Sequence, residues 1–312
     1  RDMGLYRHGL KVVLRRIDNF LPTDGGDYLL AGRGGLTSRE MARHSPADAA
    51  NYDAYSAALN AVVGVLRQWI LRAPPNAGGG LKDLLALLKL GGGVGRLPIE
   101  EQRHLVDFFT KSAADILERY FGHALVQALF GFDAVVGHYA SPYALGSAYV
   151  LLHHVFGEAA GVEGAWGHAI GGMGAITEAM AKACRERGVD IVLDAPVEEI
   201  VVEKGRAAGA VAAGTTYRAK AVAAGVNPRL LFGRLLPDGA VAPEVSRRMA
   251  GWASESATFR MNVAISELPR FTSLPQAGDH LTAGIIVAPS LAYMDRAYLS
   301  ARTDGFSAEP IV

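Results

Sequence analysis

The apolar positions along the 312 residues keep two rhythms, a short alternating one at the front and a helical one behind it. Between residues 11 and 32, apolar runs flank Thr23-Asp24-Gly25-Gly26, turn chemistry that joins antiparallel strands, and predict a hairpin. Ser45-Pro46-Ala47-Asp48 then supplies a side-chain cap, a proline at the first helical position and an acid in the first turn. Tyr55, Leu59, Val62, Val63, Leu66 and Ile70 recur at helical spacing, so a long helix is expected to about Leu71, ended by Pro74-Pro75. Further helical patterns cover residues 81–90, 99–109, 112–121 and 124–130, the third opened by Ser112 and Asp115 as a cap. Ser141-Pro142 opens another, with Leu145, Ala148, Tyr149, Leu152 and Phe156 on one buried face.

After Trp166 the rhythm changes. A helix is expected over residues 175–187 with Gly188 at its end, followed by short β segments at 190–193, 197–202, 207–212 and 217–224. Asn227-Pro228 starts a short helix and residues 242–252 form another. Strands at 258–265 and 281–288 then precede a helix over 290–301. The pattern is that of an α/β protein of mixed α+β character, helix-rich in its first 160 residues and with a β meander after them.

Composition narrows the partners. The 31 basic side chains balance 31 acidic ones, so no overall field of one sign draws in nucleic acid or an anionic membrane; a small, neutral or apolar ligand suits the balance better. Cys184 stands alone, which leaves no intramolecular disulfide, thiolate metal cluster or Cys-x-x-Cys pair. No apolar run reaches the roughly 18 to 20 residues of a membrane span, and RDMGLYRHGLKVV lacks the apolar stretch of a signal peptide. A reduced, cytoplasmic setting fits these features, and nothing in the pattern points to a membrane anchor.

The glycine knot at Gly171, Gly172 and Gly174 invites comparison with a dinucleotide loop. That loop needs a buried strand, then Gly-x-Gly-x-x-Gly, then a helix, because its glycines let the backbone approach a pyrophosphate. Thr177 stands in place of the third glycine, and Trp166-Gly167-His168 is not a buried strand. The run from Gly91 to Gly95 fails too, being followed by Pro98. Glycines ahead of a helix still permit close approach of a backbone or a flat ligand, or simply a tight turn.

Other chemistry is sparse. His153 and His154 are neighbours on a helix, about 100° apart and so wrongly placed for one ion, and no metal site is expected. Gly146-Ser147-Ala148 lacks the second glycine of a nucleophile elbow. His138, Tyr139, Tyr143 and Tyr149 either line a pocket or belong to the core. Cys184 near Arg185 and Arg187 is a reactive thiol only if exposed, and otherwise a small filler. No catalytic acid or base stands out.

Three stretches carry a family resemblance: SPYALGSAYVLLHHVFGE, then WGHAIGGMGAITEAMAKACRERGVDIVLDAPVEEIVVEKGRAAGAV with the YRAKAVAAGVNP after it, and finally IIVAPSLAYMDRAYLSARTDGFSAEPIV. Together, and in this order, they resemble the phytoene desaturase-like FAD-dependent oxidoreductases, and within these the pyridine nucleotide-disulfide oxidoreductase domain-containing branch. The resemblance implies a glutathione-reductase-type FAD-binding domain interleaved with a helix-rich substrate domain containing a β-sheet. Residues 1–164 would belong mainly to the substrate domain, 165–236 to a returning segment of the FAD domain, and 237–312 again to the substrate side. It implies FAD as cofactor, bound partly by the backbone of Val197 at its adenine, with Gly171 and Gly172 as paired glycines at the domain junction. It implies a lipophilic small-molecule substrate that gives up hydride or electrons. The family's N-terminal Gly-x-Gly-x-x-Gly and its C-terminal flavin-closing segment have no counterpart in these residues, so the resemblance also implies an internal fragment. Two other readings stay open here: a relative that keeps the fold as a binding or regulatory module, and a free-standing helical binding protein with a β appendix.

Overall fold

The structure, a computed structural model, describes every residue except 1, 2, 77, 255 and 257. A 3-10 turn (Leu5–His8) precedes β1 (Val12–Leu14), β2 (Asn19–Pro22) and β3 (Tyr28–Ala31). Helices α1 (Leu36–His44), α2 (Pro46–Leu66), α3 (Leu81–Gly95), α4 (Ile99–Thr110), α5 (Ala113–Tyr120), α6 (Ala124–Val135) and the short α7 (Ala148–Leu151) follow. Next come β4 (Glu158–Ala159), β5 (Val162–Glu163), β6 (Gly167–Ala169), α8 (Met173–Arg185), β7 (Val197–Glu203), β8 (Arg206–Ala212) and β9 (Thr215–Arg218). α9 (Pro228–Leu230) runs into a π-turn (Leu231–Leu235), and α10 (Pro243–Ala250), β10 (Gly284–Ile285) and α11 (Leu291–Asp304) complete the order. Helices and sheets are mixed, as the pattern implies. The chain divides into two compact units, residues 11–173 with 256–312, and residues 1–10 with 174–255.

In the larger unit the hairpin forms where the turn residues put it. β2 and β3 pair antiparallel with Phe20 opposite Leu30, and the Thr23 amide donates to the Asp27 carbonyl at 2.9 Å across the loop. β10 lies parallel to β2 on its other side, and Phe20, Leu21 and Leu29 are buried. Ser45 caps α2, its hydroxyl accepting from the Asp48 amide at 3.2 Å. On the inner face of that helix, Tyr55 sits 5.0 to 5.5 Å from the rings of Phe121, Phe130 and Tyr120. These join Met41, Val62, Phe108, Leu117, Leu129 and Met294 in one core. α5 opens with a full capping box, Ser112 and Asp115 each accepting from the other's backbone amide at 3.0 Å.

Several boundaries differ from the sequence expectation. α2 stops at Leu66 instead of Leu71, while α3 runs through the glycines to Gly95 and α6 continues to Val135. Residues 141–147 are turns, not the start of a helix, because Gly146 sits at φ +82° and helix geometry begins only at Ala148. The expected buried face therefore keeps Ala148 and Leu152 in the core and Phe156 packed against it, with Leu145 84% exposed and Tyr149 also outside.

The smaller unit is built around the meander β7-β8-β9, whose Ile200 and Ala212 are buried, as is Leu235 of the π-turn. α8 buries Ala179 and Ala183 and ends in a Schellman motif. There Gly188, at φ +73°, donates to the Arg185 carbonyl at 3.0 Å, and Val189 donates to that of Cys184 at 3.1 Å.

Four expected strands come out short or missing. Residues 190–193 and 258–265 carry no ladder, β9 stops at Arg218, and of the 281–288 run only Gly284–Ile285 form a ladder, with the Ile286 amide donating to the Phe20 carbonyl and Val287 exchanging backbone hydrogen bonds with Val312. The apolar alternation of the 258–265 run faces solvent, Phe259 being 87% exposed. A strand exists only when a neighbour accepts and donates along it, and alternation alone does not supply that neighbour.

Candidate functional site

Gly171 and Gly172 make a turn that demands glycine. Their φ values are +88° and +75°, and the Gly172 amide donates to the Ala169 carbonyl at 2.9 Å. A side chain at either position would be forced into left-handed backbone. β6, just before the turn, pairs antiparallel with β1, Ala169 opposite Val12 and Gly167 opposite Leu14. It belongs to a two-stranded antiparallel ribbon of three residue pairs, not to the buried parallel sheet of a dinucleotide fold. Thr177, where the third glycine would stand, spends its hydroxyl on the Gly174 carbonyl at 2.8 Å.

Val197 opens β7, an edge strand paired only with β8. It lies opposite Ala212, whereas Glu199 lies opposite Val211, so Glu198 is an extra bulged residue. The Glu198 carboxylate accepts from the Gly214 amide at 3.2 Å, tying the bulge to the β8–β9 turn. Val197 itself is half-exposed with an open strand edge beside it. Gly171 and Gly172 belong to the larger unit and Val197 to the smaller, and each is described within its own unit.

The remaining sequence candidates have other partners. Ser147 is 0% exposed, accepts from the Ala113 amide at 2.9 Å and donates to the Pro142 carbonyl at 3.1 Å, which makes it a structural clasp. Tyr139 meets Tyr298 edge-on at 5.5 Å, and Tyr149 meets Phe109 at 5.2 Å. His138 Nδ1 lies 3.3 Å from the Ala134 carbonyl. Cys184 is half-buried and free. Among the described residues no three His, Cys, Asp or Glu side chains gather as a metal site would require.

The structure adds a group that sequence reasoning missed. Asp133 Oδ1 stands 3.4 Å from His154 Nδ1, joining α6 to the turn after α7. Burial pushes the Asp133 carboxyl up to about 8. Burial, with His153 beside it, pushes His154 down to about 4. Near neutral pH the acid therefore keeps its proton and the imidazole is neutral. His154 Nε2 is buried without a hydrogen-bond partner. The ring lies 5.4 Å from Trp166, and the Arg15 guanidinium covers that indole at 5.4 Å. Arg15 Nε in turn donates to His168 Nε2 at 3.0 Å. The signal was present as a lone acid inside the apolar run of α6, but its partner lies 21 residues away in sequence.

Two cavities are open at the surface. One of about 540 Å³ in the smaller unit is lined by Arg7, His8, Gly9, Lys182, Arg185 and Glu186. The other, about 420 Å³ in the larger unit, lies among residues 267–281. Neither is lined by Gly171, Gly172, Val197, Asp133 or His154.

The chain is similar to several known proteins. The mouse pyridine nucleotide-disulfide oxidoreductase domain-containing protein 2 is 29% identical and is matched over 88% of this chain and 50% of its own length. The rat protein of the same name is 28% identical over the same shares. The chain thus spans about half the length of the curated relatives it matches. Among solved structures, a putrescine oxidase triple mutant redesigned in its cofactor binding aligns with a TM-score of 0.45 at 16% identity, covering 79% of this chain and 48% of that one. Residues 28–253 match the flavin containing amine oxidoreductase family, whose cofactor is FAD. That match covers well over half of the 312 residues, and the chain belongs to the flavin containing amine oxidoreductase family.

Proposed function

We propose that this chain is part of an FAD-dependent oxidoreductase that takes hydride or electrons from an apolar small molecule. The family match over residues 28–253 carries the reading. The smaller unit supplies part of the FAD domain and the larger unit most of the substrate domain, with Gly171-Gly172 as the turn between their segments. When bound, the flavin accepts the two electrons, and the protein's task is to orient, exclude water and handle the proton.

The residues present fit one end of that cofactor. An adenine edge needs main-chain donors and acceptors that no neighbouring strand has taken, and β7 offers its open edge at Val197 beside the Glu198 bulge. The apolar, exposed segment 190–193 precedes it and has no ladder partner among the described residues, as an inner strand of a larger sheet would lack if its neighbours lay in the rest of the protein. No Gly-x-Gly-x-x-Gly occurs in the 312 residues, so this chain is not assigned the pyrophosphate contact.

An apolar substrate is supported by α4 and α7, where the exposed rings of Phe109 and Tyr149 meet in a tilted pair at 5.2 Å and exposed Val106 lies one turn before. The acid nearest in sequence on that helix, Asp107, is already held by Arg119 at 2.7 Å and Lys111 at 3.2 Å. Asp133 and His154 are this chain's candidates for handling the proton that a C–H oxidation leaves behind, Asp133 as the group that carries a proton near neutral pH and His154 as the imidazole beside it.

Val197→Pro tests the adenine assignment. Proline is tolerated at the first residue of an edge strand but removes the amide hydrogen. In the protein expressed from its whole reading frame, FAD affinity should fall about tenfold, the worth of one hydrogen bond, while Val197→Ala leaves it unchanged. Equal affinity in both variants would remove Val197 from the cofactor site.

A further inference from the structure

Helix α3 is 15 residues long with none of them buried, which among the α-helices of the described residues it shares only with the much shorter α9 and α10. At about 100° per residue, Leu87, Leu90 and Val94 share one side, and they are the half-buried ones, Val94 packing against the core. On the opposite side Leu81, Leu84, Leu85 and Leu88 fall within about 100° of arc and all are exposed, Leu81 by 72%. An outward leucine stripe on a helix that already rests on its other side is an apolar face waiting for an apolar neighbour.

Charge identifies the neighbour. Between residues 72 and 96 the cations are Arg72, Lys82, Lys89 and Arg96, and the one acid, Asp83, accepts from the Asn76 amide at 3.0 Å. Lys82 and Lys89 lie about 20° apart, along one border of the leucine stripe, and neither is engaged in an ion pair among the described residues. The chain as a whole is neutral, so this excess is local and is hidden in the net charge. A second copy of α3 would bring lysines against lysines. An anionic lipid surface would receive both the leucines and the cations.

We propose that α3 is an interfacial docking helix, lying in the headgroup region of an anionic bilayer with Leu81, Leu84, Leu85 and Leu88 inserted and Lys82 and Lys89 on the phosphates. It does not span the bilayer; no helix among the described residues is long and apolar enough for that. Gly78, Gly79 and Gly80 precede the helix and leave its leucine-bearing start free to tilt onto a surface, while Gly91, Gly92 and Gly93 lie within its last turns, just before Val94 meets the core.

The test uses the protein from its whole reading frame and extruded vesicles of phosphatidylcholine alone or with a third phosphatidylserine. Flotation should show binding to the anionic vesicles that weakens in high salt and is much lower on phosphatidylcholine. Lys82→Glu with Lys89→Glu should weaken it at least tenfold, and Leu85→Ser with Leu88→Ser should abolish it. Circular dichroism unchanged in both variants confirms that these exposed positions leave the fold intact. Binding that is absent, or equal on both vesicle types, overturns the proposal. Self-association lost in the serine variant, or a Leu85→Cys thiol that a water-soluble maleimide fails to label without vesicles, would also overturn it, by assigning the face to a second copy or to the rest of the polypeptide.

Discussion

Asp48 reads in the sequence as the acid of a first helical turn, and the fold turns it inward. It is 3% exposed, and its carboxylate accepts from the backbone amides of Gly122 at 2.9 Å and His123 at 2.8 Å. Those partners lie more than 70 residues away, so no local pattern reveals the role. Asp48→Ala leaves two amides without acceptors and should cost about 2 to 4 kcal/mol in a denaturant titration. Asp133 makes a second residue-scale prediction. Its carboxyl keeps a proton in the folded protein up to about pH 8, whereas the unfolded chain releases it near the ordinary 3.8, so its contribution to stability falls as pH rises through that window. His154, lowered to about 4, opposes this slope only below its ordinary 6.5. The net loss therefore lies between pH 6.5 and 8. Asp133→Asn should gain on the wild type over that interval by on the order of 1 to 2 kcal/mol, measured as the change in unfolding free energy at the two pH values. A constant difference across it would show that Asp133 is an ordinary carboxylate.

Among the elements, those whose signals are local were legible and those that depend on a distant neighbour were not. Ser45 and Ser112 cap where the sequence puts them, and Thr23 to Gly26 turns the hairpin. Gly188 ends α8 by the hydrogen bonds a Schellman motif prescribes. The misses have two causes. Residues 190–193 and 258–265 have strand composition but no ladder, since pairing is a property of two segments. The segment 141–147 has helical spacing, yet Pro142 and the left-handed Gly146 keep helical hydrogen bonding from starting before Ala148. At the candidate site, the rejection of a phosphate loop at Gly171-Gly172-Met173-Gly174 was legible from Thr177 alone. The Asp133–His154 pair was not, because only the packing of α6 against the turn after α7 creates it.

On the scale of the molecule, family membership rests on most of the chain, while no Gly-x-Gly-x-x-Gly loop occurs in its 312 residues. The two units differ in how much they bury. The larger holds the continuous core and the apolar face of α4 and α7, and the smaller has a modest core with apolar segments left open. The neutral total charge is likewise an average, concealing the cationic border of α3. Flavin in the protein purified from its whole reading frame tests the central claim most directly. The account predicts absorption bands near about 375 and 450 nm that stay with the protein through gel filtration, are released as FAD on denaturation, and bleach when an oxidisable substrate is added. A folded protein that shows no such bands, and acquires none when FAD is supplied, would contradict it.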